Sequence, residues 1–268
     1  MANVKPKKSL GQHFLTDMSV AQRIAATIDD CPNLPVVEVG PGTGVLTQYL
    51  LAAGRDLTVV ELDSESVVYL RQGHVAGLAP ERIVEADFLR LDLPALVGGR
   101  KFCLIGNYPY NISSQIFFKV LDCRDLVEEC TGMLQREVAE RICAREGTKT
   151  RGILSVLLQV WYDTEYLFTV SEHVFNPPPK VKSGVIRLKR NGVTDPGCDF
   201  QLMRTVVKTT FGQRRKTIRN SARGLLPAGT VFPADSPLGA LRPEQLSVAQ
   251  FVELTNLIGA LRTNAPEQ

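Results

Sequence analysis

The stretch PVVEVGPGTG, residues 35–44, passes from a run of valines into three alternating glycines, and its reading decides the fold. Val36, Val37 and Val39 are β-branched and suit a buried strand. Gly40, Gly42 and Gly44 suit a tight loop, because glycine tolerates backbone angles that other residues avoid. A helical pattern follows from Gly44 to Leu51, stopped by Gly54. The stretch therefore predicts a strand, a glycine-rich loop and a helix in immediate succession.

The same alternation continues in both composition and length. Leu57–Leu62 reads as the next strand, and Ser64 is the expected N-cap of a helix running to Leu70. Strands are expected near 82–86 and 102–105, the latter followed by a helix over 113–121. Beyond these, 152–162 reads as helical and 165–170 and 184–188 as strands, with the prolines of 176–179 as a rigid connector between them. Strands alternating with helices imply parallel pairing through right-handed crossovers. The expected fold is α/β, a Rossmann-like doubly wound sheet whose ligands sit outside the carboxyl ends of the strands. The turn-rich Asn191–Gly197 marks a boundary, giving an α/β domain over 1–190 and a small all-helical domain over 191–268. Short helices with a Gly/Pro-rich break at 227–237 are expected in the second domain, and no internal repeat is visible.

Composition narrows the classes. Hydrophobic residues make up 44% and charged residues 22%, ordinary for a soluble globular protein. Residues 1–11 carry Lys5, Lys7 and Lys8 without an apolar secretion core, and no run reaches membrane-spanning length, so a cytoplasmic protein without membrane association is expected. The six cysteines form no Cys-x-x-Cys pair and the three histidines lie far apart. Neither a disulfide framework nor a metal is expected from that spacing. The net charge of +3 says little, but its distribution says more. From Phe200 to Ala234 there is no Asp or Glu, while Arg204, Lys208, Arg214, Arg215, Lys216, Arg219 and Arg223 all fall there. Such a segment is either a solvated helix face or a phosphate-facing surface, and the lack of counter-charges favours nucleic acid.

Four loops carry the chemistry. Gly-x-Gly-x-Gly at Gly40, Gly42 and Gly44 is the spacing favoured by S-adenosylmethionine enzymes, whereas a dinucleotide pyrophosphate prefers Gly-x-Gly-x-x-Gly. Glu61, at the end of the next strand, is placed to accept from both ribose hydroxyls; Asp63, just before a helix, fits a capping role better. Asp87 ends a third strand and can accept from an adenine amine, with Phe88 beside the ring. The fourth loop, GNYPYNISS at 106–114, places Asn107, Pro109 and Tyr110 at a strand end where a plain turn has little use for aromatic rings. An adenine N6 amine is a poor nucleophile because its lone pair is delocalised into the ring. Acceptors at the Asn107 side chain and the Pro109 carbonyl would favour its pyramidal form, and Tyr110 could stack on the base for roughly 1–3 kcal/mol. The methyl donor is cationic and the amine can lose its proton after attack, so the scheme requires no general base.

These loops, in order, resemble the rRNA adenine N6-dimethyltransferase family. The resemblance rests most specifically on Gly11-Gln12-His13-Phe14-Leu15, Gly40–Gly44, Asn107-Tyr108-Pro109-Tyr110 and Phe175–Ser183, and it extends to Leu241–Leu254. It implies that His13 and Leu15 lie in a segment closing over the cofactor, and that Phe175 packs against the target adenine opposite Tyr110. It also implies a substrate: two adjacent adenosines in a hairpin loop near the 3′ end of 16S rRNA, each receiving two methyl groups within a pre-assembled small ribosomal subunit; separately, a monomeric enzyme is expected. The helical domain would add rRNA contacts. His13 is not a catalytic base under this resemblance, because the family accepts Asn there. Tyr108 departs from the family's usual Leu or Ile and leaves the packing of the loop open. Alternatives are a large-subunit methylase of the macrolide-resistance type, a ribosome-assembly factor acting mainly by binding, and, least favoured by the glycine spacing, a nicotinamide oxidoreductase.

Overall fold

A computed structural model describes residues 4–28 and 30–263. Nine strands and ten α-helices form among the described residues. The strands are β1 (Phe14–Leu15), β2 (Val36–Val39), β3 (Leu57–Glu61), β4 (Ile83–Glu85), β5 (Phe102–Asn107), β6 (Val127–Gln135), β7 (Tyr162–Val170), β8 (Phe175–Asn176) and β9 (Ser183–Arg190). The helices are α1 (Met18–Ala25), α2 (Thr47–Ala52), α3 (Ser64–Tyr69), α4 (Leu93–Leu96), α5 (Ser113–Asp122), α6 (Arg136–Ile142), α7 (Ile153–Gln159), α8 (Phe200–Gly212), α9 (Ile218–Ser221) and α10 (Val248–Thr263).

The main sheet has the order β4-β3-β2-β5-β6-β9-β7. β2 pairs in parallel with β3 and β5, β3 with β4 and β5 with β6, while β9 returns antiparallel to β6. The strand order reverses between β2 and β5, and such a switch point opens a crevice at the strands' carboxyl ends. All four residues of β2 are buried, as a strand covered on both faces requires. A separate antiparallel pair joins β1 to β8, with Leu15 opposite Phe175 and Phe14 opposite Asn176. The N-terminal segment is thereby tied to the chain that follows β7.

Helix starts follow side-chain chemistry. Asp17 accepts from the N–H groups of Ser19 and Val20 to start α1, and Asp199 from those of Gln201 and Leu202 to start α8. For α3 the N-cap position belongs to Asp63 and Ser64 is the first helical residue, so the helix starts one position earlier than expected. β5 extends to Asn107, so the asparagine of the fourth loop sits on the strand itself.

The chain forms two compact units, residues 1–140 with 163–190, and residues 141–162 with 191–268. The second therefore takes in α7, which the linear boundary at Asn191 assigns to the first. Within this unit α7 packs on α8, and the Trp161 ring meets Phe200 edge-on at 5.2 Å. Its helices are also longer than expected: α8 has 13 residues and α10 has 16, with the break at 227–237 lying between them. Among the described residues no helix is long and apolar enough to cross a membrane.

Candidate active site

The first unit carries a cleft at the carboxyl ends of β2 to β5. It is lined by Gly40 and Gly42 after β2, Glu61 at the end of β3 and Leu62 just past it, Asp87 and Phe88 after β4, residues 107–112 at the end of β5, and residues 10–14 of the N-terminal segment.

Gly40 and Gly42 both have positive φ, 67° and 56°, which an L side chain adopts only with strain. A Cβ on Gly42 would stand 2.9 Å from the Phe14 ring, whereas one on Gly40 would meet nothing closer than 3.9 Å. Gly42 thus needs the missing side chain for space as well as for backbone angle. Gly44 lies outside the cleft: a Cβ there would collide with the Val75 side chain, so its role is packing of loop on helix rather than approach to a ligand.

Glu61 is buried and accepts three backbone N–H groups, from Gly42 at 3.0 Å on Oε2 and from Leu62 and Asp63 at 2.9 Å each on Oε1. Oε2 keeps a lone pair for a ribose hydroxyl. Burial pushes the Glu61 carboxyl upward in pKa, and the N–H bonds oppose it. Asp63 has a different task from capping. It makes no cap bond and instead accepts from the Lys7 ammonium, from Ser66 Oγ at 2.9 Å and from Gln12 Nε2 at 3.5 Å. Burial would raise this carboxyl, but the lysine bond and its neighbours hold it below its ordinary value. Asp63 is the anchor of the N-terminal segment.

That segment reaches the fourth loop. Asn107 Nδ2 donates to the main-chain carbonyl of His13 at 3.0 Å, and His13 Nδ1 lies 2.7 Å from the Pro177 carbonyl. The Asn107 amide is therefore fixed with Oδ1 as its remaining acceptor. The Pro109 carbonyl accepts from Ile112 N–H at 3.2 Å and retains a second lone pair. The Tyr110 hydroxyl bonds Ser183 Oγ at 2.5 Å, and its ring lies 5.3 Å from the His13 ring. Two acceptors and an aromatic face thus share one rim of the cleft, and the same amide that offers one acceptor is held by the N-terminal segment.

Tyr108, the departure from the family pattern, is 1% exposed. Its ring covers Gly106 on β5 and Gly132 on β6, where a Cβ on either would run into it, and its hydroxyl donates to the Thr131 carbonyl at 2.8 Å. The larger side chain is accommodated because both strands carry glycine beneath it.

Asp87 Oδ1 accepts from Leu89 N–H at 2.9 Å, and Phe88 is buried with Lys119 Nζ 5.6 Å from its ring centre. Leu15 and Phe175 lie outside the cleft. Both are buried in the apolar core, held as opposite residues of the β1–β8 pair. In this conformation Tyr110 alone of the two expected aromatic faces reaches the cleft. Residues not singled out in the sequence also line it, among them Leu10, Leu89 and the half-exposed Leu62. The visible signal for Leu62 is an apolar side chain directly between two carboxylates.

The basic residues expected to meet RNA all belong to the second unit. Arg215, Lys216 and Arg223 are exposed. Arg214 also donates to the Lys149 carbonyl at 2.7 Å and Arg219 to the Ala234 carbonyl at 2.9 Å, so these two hold turns in place as well as presenting charge. Lys208 is exposed and Arg204 half-buried on α8.

Comparison with known proteins agrees with this geometry. The family profile described as ribosomal RNA adenine dimethylase matches residues 3–258. A protein of Parabacteroides distasonis named ribosomal RNA small subunit methyltransferase A is 63% identical over 258 residues, 95% of this chain and 94% of its own. One of the same name from Phocaeicola vulgatus is 59% identical over 264 residues, 98% of this chain and 93% of its own. Among solved structures, a dimethyladenosine transferase from Plasmodium falciparum superposes with a TM-score of 0.75 at 22% identity, covering 92% of this chain and 98% of that one. The 23S rRNA methyltransferase ErmE superposes with a TM-score of 0.65 at 27% identity, covering 91% and 99%. The chain belongs to the ribosomal RNA adenine dimethylase family, and it is an S-adenosylmethionine-dependent methyltransferase of Rossmann-like fold.

Proposed function

We propose that this enzyme methylates N6 of two adjacent adenosines in a hairpin loop near the 3′ end of 16S rRNA, within the small ribosomal subunit, and carries each to N6,N6-dimethyladenosine. The observation that carries this reading is the fixed Asn107 amide: with Nδ2 engaged by the His13 carbonyl, Oδ1 is left to accept, beside the Pro109 carbonyl and the Tyr110 ring. The small-subunit substrate is supported by the names of relatives at 59–63% identity.

The cleft fits its cofactor. Gly40 and Gly42 leave room for close backbone approach, Glu61 Oε2 has a lone pair for the ribose, and Asp87 stands at the next strand end for the adenine. When bound, S-adenosylmethionine supplies an electrophilic methyl on a sulfonium cation. The protein's part is to align and to accept. Asn107 Oδ1 and the Pro109 carbonyl draw on the two amine hydrogens, which returns electron density to N6, while Tyr110 holds the base plane. Positioning of this kind contributes to rate without any residue having to change protonation state. A cytoplasmic location follows from such a substrate.

The acid-free segment of the second unit supports rRNA as the partner, through phosphate contacts by residues such as Lys208, Arg215 and Arg223. The test is transfer of labelled methyl to isolated small and large subunits from a strain lacking the modification, with nucleoside analysis. N6,N6-dimethyladenosine in small-subunit rRNA is the expected product. Incorporation into large subunits alone would replace the substrate with that of the macrolide-resistance type.

A further inference from the structure

At the opposite end of the sheet from the cleft, Cys31, Cys103 and Glu129 bring their ligand atoms together, all within 4.8 Å of one another. We propose that this cluster is a binding site for a soft divalent cation of the zinc or cadmium class, held by two thiolates and a carboxylate. The site lies far from the chemistry. Cys103 is the second residue of β5 and Asn107 the last, about 13 Å along the strand.

The backbone builds the cluster. Cys103 and Glu129 are direct partners in the parallel pairing of β5 with β6, so their side chains share one face of the sheet. Cys31 comes from the turn after α1, and that turn is fixed by Arg55, whose Nη2 donates to the carbonyls of Ile28 at 3.1 Å and Cys31 at 2.7 Å. Cys103 and Glu129 are wholly buried, whereas Cys31 is partly exposed and gives a route of entry.

The independent sign is Glu129 itself. It is 0% exposed, and outside the cluster neither carboxylate oxygen has a hydrogen-bond partner, the Cys31 thiol alone being near enough to donate. A buried carboxylate whose one donor is a weak thiol still carries most of its desolvation penalty. The nearest cation is Arg187, whose Nε comes no closer than 4.0 Å and whose other nitrogens are engaged by Glu165 at 2.8 Å and Asp30 at 3.5 Å. A cation between the three ligands would satisfy Glu129 directly. Burial keeps all three groups protonated more strongly than usual in the metal-free protein, so loading releases the two thiol protons and that of the carboxyl where it is held.

Charge and size are consistent with the assignment. Two thiolates and a carboxylate around a divalent ion leave one net negative charge, and Arg187 stands where a positively charged neighbour would balance it. Metal–sulfur bonds of about 2.3 Å and metal–oxygen bonds of about 2.0–2.2 Å set ligand atoms about 3.5–3.8 Å apart in a tetrahedral site, a modest closure from the present spacing. Three protein ligands leave a fourth position for water at the exposed Cys31 side. The bound ion would staple the turn after α1 to β5 and β6.

The test is titration of the full-length protein with cadmium under a phosphine reductant, reading the ultraviolet thiolate-to-cadmium charge-transfer band, followed by competition with zinc. One cadmium per chain with a strong band is expected. In Cys31→Ser, a change at a partly exposed turn, the band should fall at least by half, and Glu129→Gln should weaken binding at least about tenfold. Circular dichroism of each variant confirms that it is folded. Absence of the band in the reduced protein, or an unchanged band in folded Cys31→Ser, overturns the site, the latter assigning the signal to the remaining cysteines.

Discussion

Asn107 and His13 are joined by a hydrogen bond of 3.0 Å from the asparagine side chain to the histidine main chain, across 94 residues of sequence. The bond leaves Oδ1 as the free acceptor of the amide at the cleft, so in the proposed reaction the N-terminal segment positions that acceptor without contributing a reacting group. What holds that segment is the Lys7–Asp63 pair, with Gln12 between them.

Lys7→Ala should therefore loosen both cofactor and acceptor. We expect cofactor affinity to fall about two- to fivefold, the range of an exposed ion pair, with a parallel loss in kcat. Asp63 is held below its ordinary value of 3.8, so its contribution is present above that pH and lost as pH falls through the folded value. Lys7 is held above 10.5, so its share is present below that pH and lost as pH climbs through the folded value. The effect of the substitution on cofactor binding should accordingly be constant from about pH 5 to pH 9. Calorimetric titration across that range checks it, and a strong pH dependence would assign the latch to other groups.

Gly42→Ala and Gly44→Ala should separate two roles of one loop. At Gly42 the new methyl meets Phe14 at the cleft wall, and cofactor affinity is expected to drop at least tenfold. At Gly44 it meets Val75 away from the cleft, and the expected effect is a stability loss of about 1–3 kcal/mol, with binding by the folded fraction little changed. Thermal melting and calorimetry on both variants distinguish them.

Glu38 lies under the same loop, 1% exposed, accepting from Thr47 Oγ1 at 2.7 Å, with its pKa pushed by burial to about 8. The unfolded chain sheds this proton near the ordinary value of 4.5 while the folded protein keeps it. Stability should therefore fall as pH rises between those two values, by an upper bound of roughly 5 kcal/mol. Glu38→Gln keeps an acceptor for Thr47 and removes the titration. Its denaturant-midpoint curve against pH should be flatter than wild type over that window, and parallel curves would contradict the assignment.

Much of this site was legible in the sequence because strand ends and glycine loops are local features. Gly40, Gly42 and Asp87 follow strands, and Glu61 and Asn107 end them; the apolar runs of these strands are short and well bounded, and the structure brings all five residues to one cleft. β6 is not legible in the sequence: Glu128, Glu129 and Gly132 interrupt its apolar pattern, and it forms because β5 and β9 flank it on both sides. Gly44 fits the glycine spacing yet serves packing, a distinction only the position of Val75 reveals. Residues 141–162 join the helical unit through contacts such as Trp161 with Phe200, which are distant in sequence. Likewise the Lys7–Asp63 latch spans 56 residues, and Asp63 alone reads as a helix cap.

The basic segment makes a prediction in salt. If its exposed Lys and Arg side chains neutralise phosphates, log K for rRNA should fall with log salt by about 0.7–0.9 per contact, and Lys208→Ala, Arg215→Ala and Arg223→Ala should each reduce the slope by about that amount. Arg219→Ala should in addition lower stability, because its guanidinium holds the Ala234 carbonyl. Filter binding at several salt concentrations measures the slopes, and a slope unchanged in all these variants would move the rRNA contact elsewhere.

The most direct test of the central claim is Asn107→Ala, assayed for single-turnover methyl transfer to small subunits and, separately, for S-adenosylmethionine affinity. Loss of one preorganised polar contact to the reacting group predicts a rate lower by at least about 10²–10³-fold, with cofactor affinity changed only a few-fold. A rate near wild type, or a loss accounted for entirely by failed cofactor binding, would contradict the acceptor role of Asn107.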